Sequence, residues 1–365
     1  MRAIWTTLLL LGCGSSGPWL QDARVLVPGV GVTAQDCRTQ ICQHNENTDL
    51  IRWRGDIWFV HRTALSQILG PNSALHVYRT RDGGRSFEHT ARIEAPPDRD
   101  LRDPHFYLAG DELFIKALTR LPVTSPRDSD VDTITVTTRS SDGTSWSPLA
   151  AVGPVRWSFW RVVRAPDGAF YSAAYEDGDK SVVLFRSADG VAWTRGALLY
   201  GVSEDTPLET ELIFVDARMI ALVRMDGTDP ELLGTKGRLR TKVCTAAAPY
   251  DSFDCGAEIA GQRLDGPAAL LWRGRIFVVA RKHLGESGRK RTALFELTMP
   301  STLVERGELP SAGDTAYAGI APLDGDRFLV TWYSSDLRQD PDWIAGLLGA
   351  TDIWVATMDL SRLPR

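Results

Sequence analysis

Residues 140–146 read SSDGTSW, and the reading of this stretch decides the fold. A serine, one spacer, an aspartate and a glycine make a tight turn. The Asp142 side chain can take backbone N–H groups just ahead of it, and Gly143 tolerates a positive φ. Trp146 then folds back beneath the turn. The same pattern stands at 79–87, RTRDGGRSF, with Asp82, Gly83, Gly84 and Phe87, and at 187–193, SADGVAW, with Asp189, Gly190 and Trp193. Each copy follows a β-like run (ALHVY, TITVTT, SVVLF) and precedes another short strand. A phosphate-binding loop would need a lysine and a following helix, and neither is present. The stretch is a hairpin turn that recurs.

A second signal recurs beside it: an apolar strand, a Gly or Asp turn and a second apolar strand. The copies are DLIRWRGDIWFVHR (49–62), HFYLAGDELFIKA (105–117), RVVRAPDGAFYSAAYE (161–176), ELIFVDARMIALVR (211–224), ALLWRGRIFVVAR (269–281) and GIAPLDGDRFLVTWY (319–333). Their spacing of about 50 residues, with four strands to a repeat, predicts a β-propeller. The expected fold is all-β: a six-bladed propeller of four-stranded antiparallel blades. The segment RVLVPGVGV (24–32) is strand-like and would supply the outer strand of the last blade, closing the ring. Only DPDWIAGLLGA (340–350) suggests a helical turn.

The N-terminus, MRAIWTTLLLLGCGSS, has a basic start and an apolar run too short to span a bilayer. It reads as an export signal. Leu10-Leu11-Gly12-Cys13 resembles a bacterial lipobox, in which the cysteine is lipidated. The expected organisation is a signal over 1–13, a tether over 14–23 and one domain over 24–365. The protein would be an exported lipoprotein of the cell envelope, either periplasmic or outer-membrane associated, or extracellular. In an oxidising compartment the remaining cysteines pair, and proximity predicts Cys37–Cys42 and Cys244–Cys255.

The net charge of -5, with signs interspersed, gives no nucleic-acid footprint. Twelve tryptophans suit either dense packing or stacking on sugar rings. His44, His61, His105 and His283 lack ligand spacing on a shared element, so neither a metal nor another cofactor is expected. No nucleophile elbow supports Ser-His-Asp catalysis.

In a propeller, the start of each first strand and the end of each second strand converge on one face. The first-strand starts carry Glu46 and Asp49, then Arg102, Asp103 and His105, Trp160 and Arg161, Glu209 and Glu211, Asp265, and Asp314 and Tyr317. The second-strand ends carry Arg62, Lys116, Tyr175 and Glu176, Arg224, Arg281 and Tyr333. Arg62, Arg224 and Arg281 on one face would bind an anion, and a carboxylate suits their planar forks. The same arginines would equally serve ion pairs with neighbouring acids.

The turn motif is similar to the Asp-box, or bacterial neuraminidase repeat, and with the blade spacing the chain resembles the sialidase-like superfamily. The resemblance covers nearly the whole chain after the leader. It implies an exo-sialidase-like glycosidase with a tyrosine nucleophile, an exception to the two-carboxylate rule. Tyr317, in GDTAYAGI, stands at the nucleophile's place and Glu209 at that of its base. Arg224 and Arg281 stand at two of the three carboxylate-binding arginines. The sequence departs from the family twice. HNENTDL has Glu46 or Asn47 where the first arginine belongs, with Arg62 as substitute, and residues 63–78 contain no acid for the proton donor. Asp103 or Glu46 would then donate the proton. Glu46, Asp49 and Asp314 are further candidate substrate contacts.

Two functional readings follow. One is a monomeric glycoside hydrolase, held to a membrane by its lipid, that removes a terminal sugar, acidic where the arginines hold a carboxylate. The other is a surface propeller that binds glycan or protein without catalysis. Within the first, a local likeness to other propeller glycosidases would instead make Asp49, Asp103 and Glu209 the reacting trio.

Overall fold

The computed structural model describes residues 17–29, 36–68, 70–121, 132–176, 180–201, 205–226, 239–285 and 288–364. The leader and Cys13 lie outside them. In chain order the strands are β1 Leu20–Val27, β2 His44–Trp53, β3 Asp56–Ala64, β4 Ala74–Thr80, β5 Glu88–Glu94, β6 Asp100–Ala109, β7 Glu112–Arg120, β8 Ile134–Ser140 and β9 Ala150–Ala151. They continue as β10 Ser158–Arg164, β11 Phe170–Glu176, β12 Ser181–Ser187, β13 Thr194–Tyr200, β14 Thr206–Val215, β15 Arg218–Asp226, β16 Arg240–Ala247 and β17 Asp254–Ala260. The last are β18 Asp265–Trp272, β19 Arg275–His283, β20 Lys290–Thr298, β21 Thr302–Leu309, β22 Thr315–Pro322, β23 Arg327–Ser335 and β24 Thr351–Asp359. A short helix α1, Trp343–Leu348, falls within the 340–350 stretch and is capped by Asp342.

All strands but one pairing are antiparallel neighbours, as tight turns require. Four separate four-stranded sheets form: β6–β9, β10–β13, β14–β17 and β18–β21. The expectation of six separate blades needs correction here. The remaining strands make one eight-stranded sheet, in the order β22-β23-β24-β2-β3-β4-β5 with β1 also on β24. A single parallel pair, His44 with Thr351, joins its halves. The N-terminal strand does pair with β24, over 20–27, and residues 30–32 of the expected strand lie outside the described residues. The strands β2, β6, β10, β14, β18 and β22 meet in sequence, and β22 returns to β2, so the ring closes.

The sheets pack face to face through apolar layers. Val60, Leu75, Ile115 and Val136 fill one layer. Tyr171, Leu184, Leu212 and Val223 fill another, and Phe277, Leu294, Val330 and Trp332 a third. The Asp142 and Asp189 turns link the third and fourth strands of their sheets, and the Asp82 turn links β4 to β5 at the end of the eight-stranded sheet. Asp142 Oδ1 accepts from the N–H groups of Thr144 and Ser145 at 2.7 and 2.8 Å, and Ser140 Oγ accepts from Gly143 N at 2.7 Å. Asp189 holds Val191 and Ala192 in the same way, and Asp82 holds Ser86. Gly143 lies against the Trp58 ring, which belongs to a neighbouring sheet, so the turn also fastens sheet to sheet. Both disulfides, Cys37–Cys42 and Cys244–Cys255, are formed as the sequence suggests.

Candidate active site

The inner strands share one irregularity. The register shifts between Glu46 and Asp49 in β2, Arg102 and His105 in β6, Phe159 and Val162 in β10, Pro207 and Thr210 in β14, Asp265 and Ala268 in β18, and Ala316 and Gly319 in β22. A bulge bends its strand and re-aims a side chain. The residues inside these bulges include Asn47, Asp103, Trp160, Glu209, Gly266 and Tyr317. Asn47, Asp103 and Tyr317 have φ of 51°, 50° and 49°, in the left-handed region that non-glycine residues seldom occupy. Such strain collects where a site over-determines the backbone.

Tyr317 and Glu209 meet. The phenol donates to Glu209 Oε1 at 2.5 Å. Glu209 Oε2 accepts from Arg224 Nη1 and from the Gly266 N–H, both at 2.8 Å. Arg224 Nη1 also lies 3.3 Å from the phenol oxygen. Gly266 must be glycine here: its φ is +54°, and a Cβ would stand 2.7 Å from the Tyr317 ring. The Arg281 guanidinium sits 5.2 Å over that ring. Burial, and then the Glu209 charge, push the Tyr317 phenol well above its ordinary value, against Arg224 and Arg281. The resting tyrosine is therefore neutral and reacts only if a base takes its proton. Glu209 is in hydrogen-bond reach to do so.

Asp103 is the acid placed near this pair. Its Oδ1 accepts from Asn47 Nδ2 at 2.6 Å, and Arg102 Nε lies 3.4 Å from Oδ2. Burial raises its pKa; Arg102 and Lys116 oppose, and the charges of Glu209 and Glu46 add to the rise. The carboxyl thus keeps its proton to higher pH than an ordinary aspartate does. Lys116, at the end of β7, donates to the Asp103 carbonyl at 3.2 Å, and burial brings it down to about 7.

The three candidate arginines are all ion-paired and differ in exposure. Arg62 is 0% exposed, and its Nε and Nη2 bond both oxygens of Asp100 at 2.8 and 2.9 Å. Its Nη1 holds Glu46, so no edge of its fork is left for a ligand. Arg62 thus stands in a buried ion-paired set with Glu46 and Asp100. Arg224 and Arg281 keep 8% and 3% exposure beside Tyr317. Arg224 also clasps Asp226 through two bonds at 2.7 and 2.9 Å, and Arg281 donates to the Thr315 carbonyl at 2.8 Å, to Asp314 and Tyr333 Oη at 2.9 Å and to Asp265 at 3.4 Å. Sequence reasoning passed over Arg102 as an anion contact. It is 7% exposed, and its contacts with Glu46, Asp100 and Asp103 are long, at 3.8, 3.7 and 3.4 Å. Its place directly before Asp103 in LRDPHF was the available signal.

Among the described residues the remaining candidates make no direct hydrogen bond to Tyr317 or Glu209. Asp49 pairs with Arg161 and accepts from Phe106 N at 2.7 Å, and Arg161 also approaches Glu211 at 3.4 Å. Asp49, Asp103 and Glu209 all stand near enough to the buried Lys116 for their charges to act on it. Asp314 accepts from Arg281, from Tyr333 Oη at 3.0 Å and from Trp343 Nε1 at 3.1 Å. Asp314 and Glu46 both lie beside His44, a grouping that sequence spacing did not reveal.

No family model matches the chain, and no curated protein does. Solved structures do. A protein of unknown function from Dyadobacter fermentans is 17% identical, with 92% of this chain and 99% of that one covered and a TM-score of 0.66. The NanB sialidase from Streptococcus pneumoniae is 11% identical, with 93% and 71% covered and a TM-score of 0.66. The Trypanosoma rangeli sialidase, solved as a covalent intermediate with 2,3-difluorosialic acid, is 12% identical, with 94% and 59% covered and a TM-score of 0.65. At these identities the likeness establishes a sialidase-like propeller fold, and the chain spans somewhat more than half of the trypanosomal structure.

Proposed function

We propose that this protein is a retaining glycoside hydrolase on a six-bladed sialidase-like propeller, acting on a terminal acidic sugar. In this reading the eight-stranded sheet is the first and last blades bridged at His44, and the turns at Asp82, Asp142 and Asp189 are Asp-boxes. The observation that carries the activity is the 2.5 Å contact from Tyr317 Oη to Glu209 Oε1, with Arg224 beside both.

The chemistry runs in two steps. Tyr317 Oη attacks the anomeric carbon while its proton passes to Glu209. The bond to the leaving oxygen breaks, and Asp103 gives that oxygen a proton. Water, relieved of a proton by the Asp103 carboxylate, then attacks the same carbon. The tyrosyl bond breaks and Glu209 returns the proton to the phenolate. Arg102, Arg224 and Arg281 hold the sugar's carboxylate. The protein would work as a monomer, exported and anchored through Cys13, with a glycoconjugate as its partner.

A second reading has its own support. Arg224 is clasped by Asp226 and Arg281 by Asp314, as in a fixed ionic scaffold, which suits a glycan- or protein-binding propeller without turnover. The test is a panel of fluorogenic glycosides, with sialic and uronic acids beside neutral sugars, applied to the wild type and to Tyr317→Phe. Release from an acidic sugar, lost in the variant, supports the hydrolase. Binding to a glycan array without release from any member supports the second reading.

A further inference from the structure

His44, Glu46 and Asp314 are nearly or fully buried, at 0%, 1% and 0% exposure. His44 and Glu46 lie on β2, and Asp314 immediately precedes β22. The group therefore stands where the first and last parts of the ring meet, at the His44–Thr351 bridge. Each residue is held by one atom and presents another. His44 Nδ1 lies 2.8 Å from the Gly349 carbonyl and donates to it, which fixes the tautomer and turns Nε2 inward. Glu46 Oε1 is held by Arg62. Asp314 Oδ1 accepts from Arg281, Tyr333 and Trp343.

The inward atoms are His44 Nε2, Glu46 Oε2 and Asp314 Oδ2. Nε2 and Oδ2 are buried with no hydrogen-bond partner. Nε2 stands 3.5 Å from each of the two oxygens, long for a charge-assisted hydrogen bond. All three atoms lie within 4.8 Å of one another. In a tetrahedral site with bonds of about 2.0–2.1 Å, the ligand atoms are roughly 3.3–3.4 Å apart. A histidine whose other nitrogen donates to a backbone carbonyl, and carboxylates whose second oxygens are hydrogen-bonded, are the usual outer support of such a centre.

We propose that His44 Nε2, Glu46 Oε2 and Asp314 Oδ2 bind a divalent transition-metal ion of the zinc type, which pins β2 to the start of β22. One nitrogen and two carboxylate oxygens suit zinc. Calcium prefers six to eight oxygens, and magnesium an octahedral shell with several waters. Burial of all three ligands makes the role structural. The competing occupant of the same space is a proton on His44, shared between the two acids.

The test uses the full chain, stripped with chelator and reloaded with zinc sulfate. About one zinc per chain should survive desalting, raise the melting temperature and be absent from His44→Gln. Cobalt(II) added to the stripped wild type should give the intense visible bands of a four-coordinate site, and zinc should abolish them. Calcium at the same concentration should leave the melting temperature unchanged. Should His44→Gln fail to fold, the cobalt spectrum of the wild type decides alone. Zinc lost on desalting, a cobalt spectrum of the weak octahedral kind, or a folded His44→Gln that keeps its zinc would each overturn the proposal.

Discussion

Tyr317 donates its phenolic proton to Glu209 across 2.5 Å, from a residue whose own φ is 49°. The two residues are 108 positions apart and come from bulges in different strands. Tyr317→Phe keeps the ring and its packing but removes the attacking oxygen. Glu209 keeps its bonds to Arg224 and the Gly266 N–H, so the fold should persist. Turnover of a responsive glycoside should fall to background in Tyr317→Phe and by roughly 10²–10⁴-fold in Glu209→Gln, the range for a lost general base. Initial rates with matched circular dichroism check this. An unchanged rate in Tyr317→Phe would remove the tyrosine from the chemistry.

Asp103 should show itself through pH and leaving group. Burial lifts its pKa, so the protonated, donating form is present at low pH and is lost as pH rises through the folded-state value. Activity should fall on the alkaline side for that reason. In Asp103→Asn that limb should flatten. Natural linkages, whose leaving oxygen needs a proton, should lose about 10²–10⁴-fold, and aryl glycosides with acidic phenols much less. Equal losses on both substrates would argue against proton donation by Asp103.

The propeller was legible because turns are local. SSDGTSW and its two relatives specify a conformation through side chains within a few residues of each other, and the structure uses each of them that way. The pairing of Tyr317 with Glu209 was legible only through the family resemblance. The count of separate sheets was not, because the His44–Thr351 pair depends on how the ring ends meet. Arg62 shows the other limit. Its position at a strand end matched that of Arg224 and Arg281, but Asp100, 38 residues away, takes up its fork. Asp100 carries no motif, and which arginine an acid neutralises is settled by three-dimensional packing. The same holds for His44, whose acidic neighbour Asp314 is distant in sequence.

Two buried histidines, His61 and His76, should make the sheet bearing β3–β5 acid-sensitive. His61 stacks on His76 at 5.6 Å, and His76 Nδ1 meets His89 Nε2 at 2.9 Å. Burial lowers His61 to about 4 and His76 to about 2, with the neighbouring rings and Arg92 adding to the fall at His76. Both are neutral in the fold and ordinary in the unfolded chain, whose histidines titrate near ~6.5. The unfolded state therefore binds more protons below that pH. Stability is fully present above it and declines as pH falls toward 4, by up to about 1.4 kcal/mol per pH unit per histidine. Denaturant melts from pH 7.5 to 4.5 should show the decline, and His61→Phe, which keeps the stack, should shallow it. A wild-type curve flat over this range would contradict the assignment of neutral buried rings.

Gly143 and Gly55 separate the two roles that a turn glycine can have. Both have positive φ, +77° and +88°. A methyl group on Gly55 would meet nothing within 4 Å, whereas on Gly143 it would fall 1.9 Å from Trp58. Gly55→Ala therefore carries only the backbone cost, roughly 1–2 kcal/mol for an L-residue in the left-handed region. Gly143→Ala carries that and the displacement of a buried indole, for which overpacking adds typically about 1–3 kcal/mol. Because Trp58 belongs to the neighbouring sheet, the second cost falls on the contact between sheets and not on the turn alone. Chemical denaturation should rank the proteins wild type, Gly55→Ala and Gly143→Ala in falling stability. Trp58→Ala combined with Gly143→Ala should cost less than the two changes summed, since the smaller residue makes room for the methyl. Additive costs would mean that the turn does not bear on Trp58, and that the aspartate turns serve their own hairpins only.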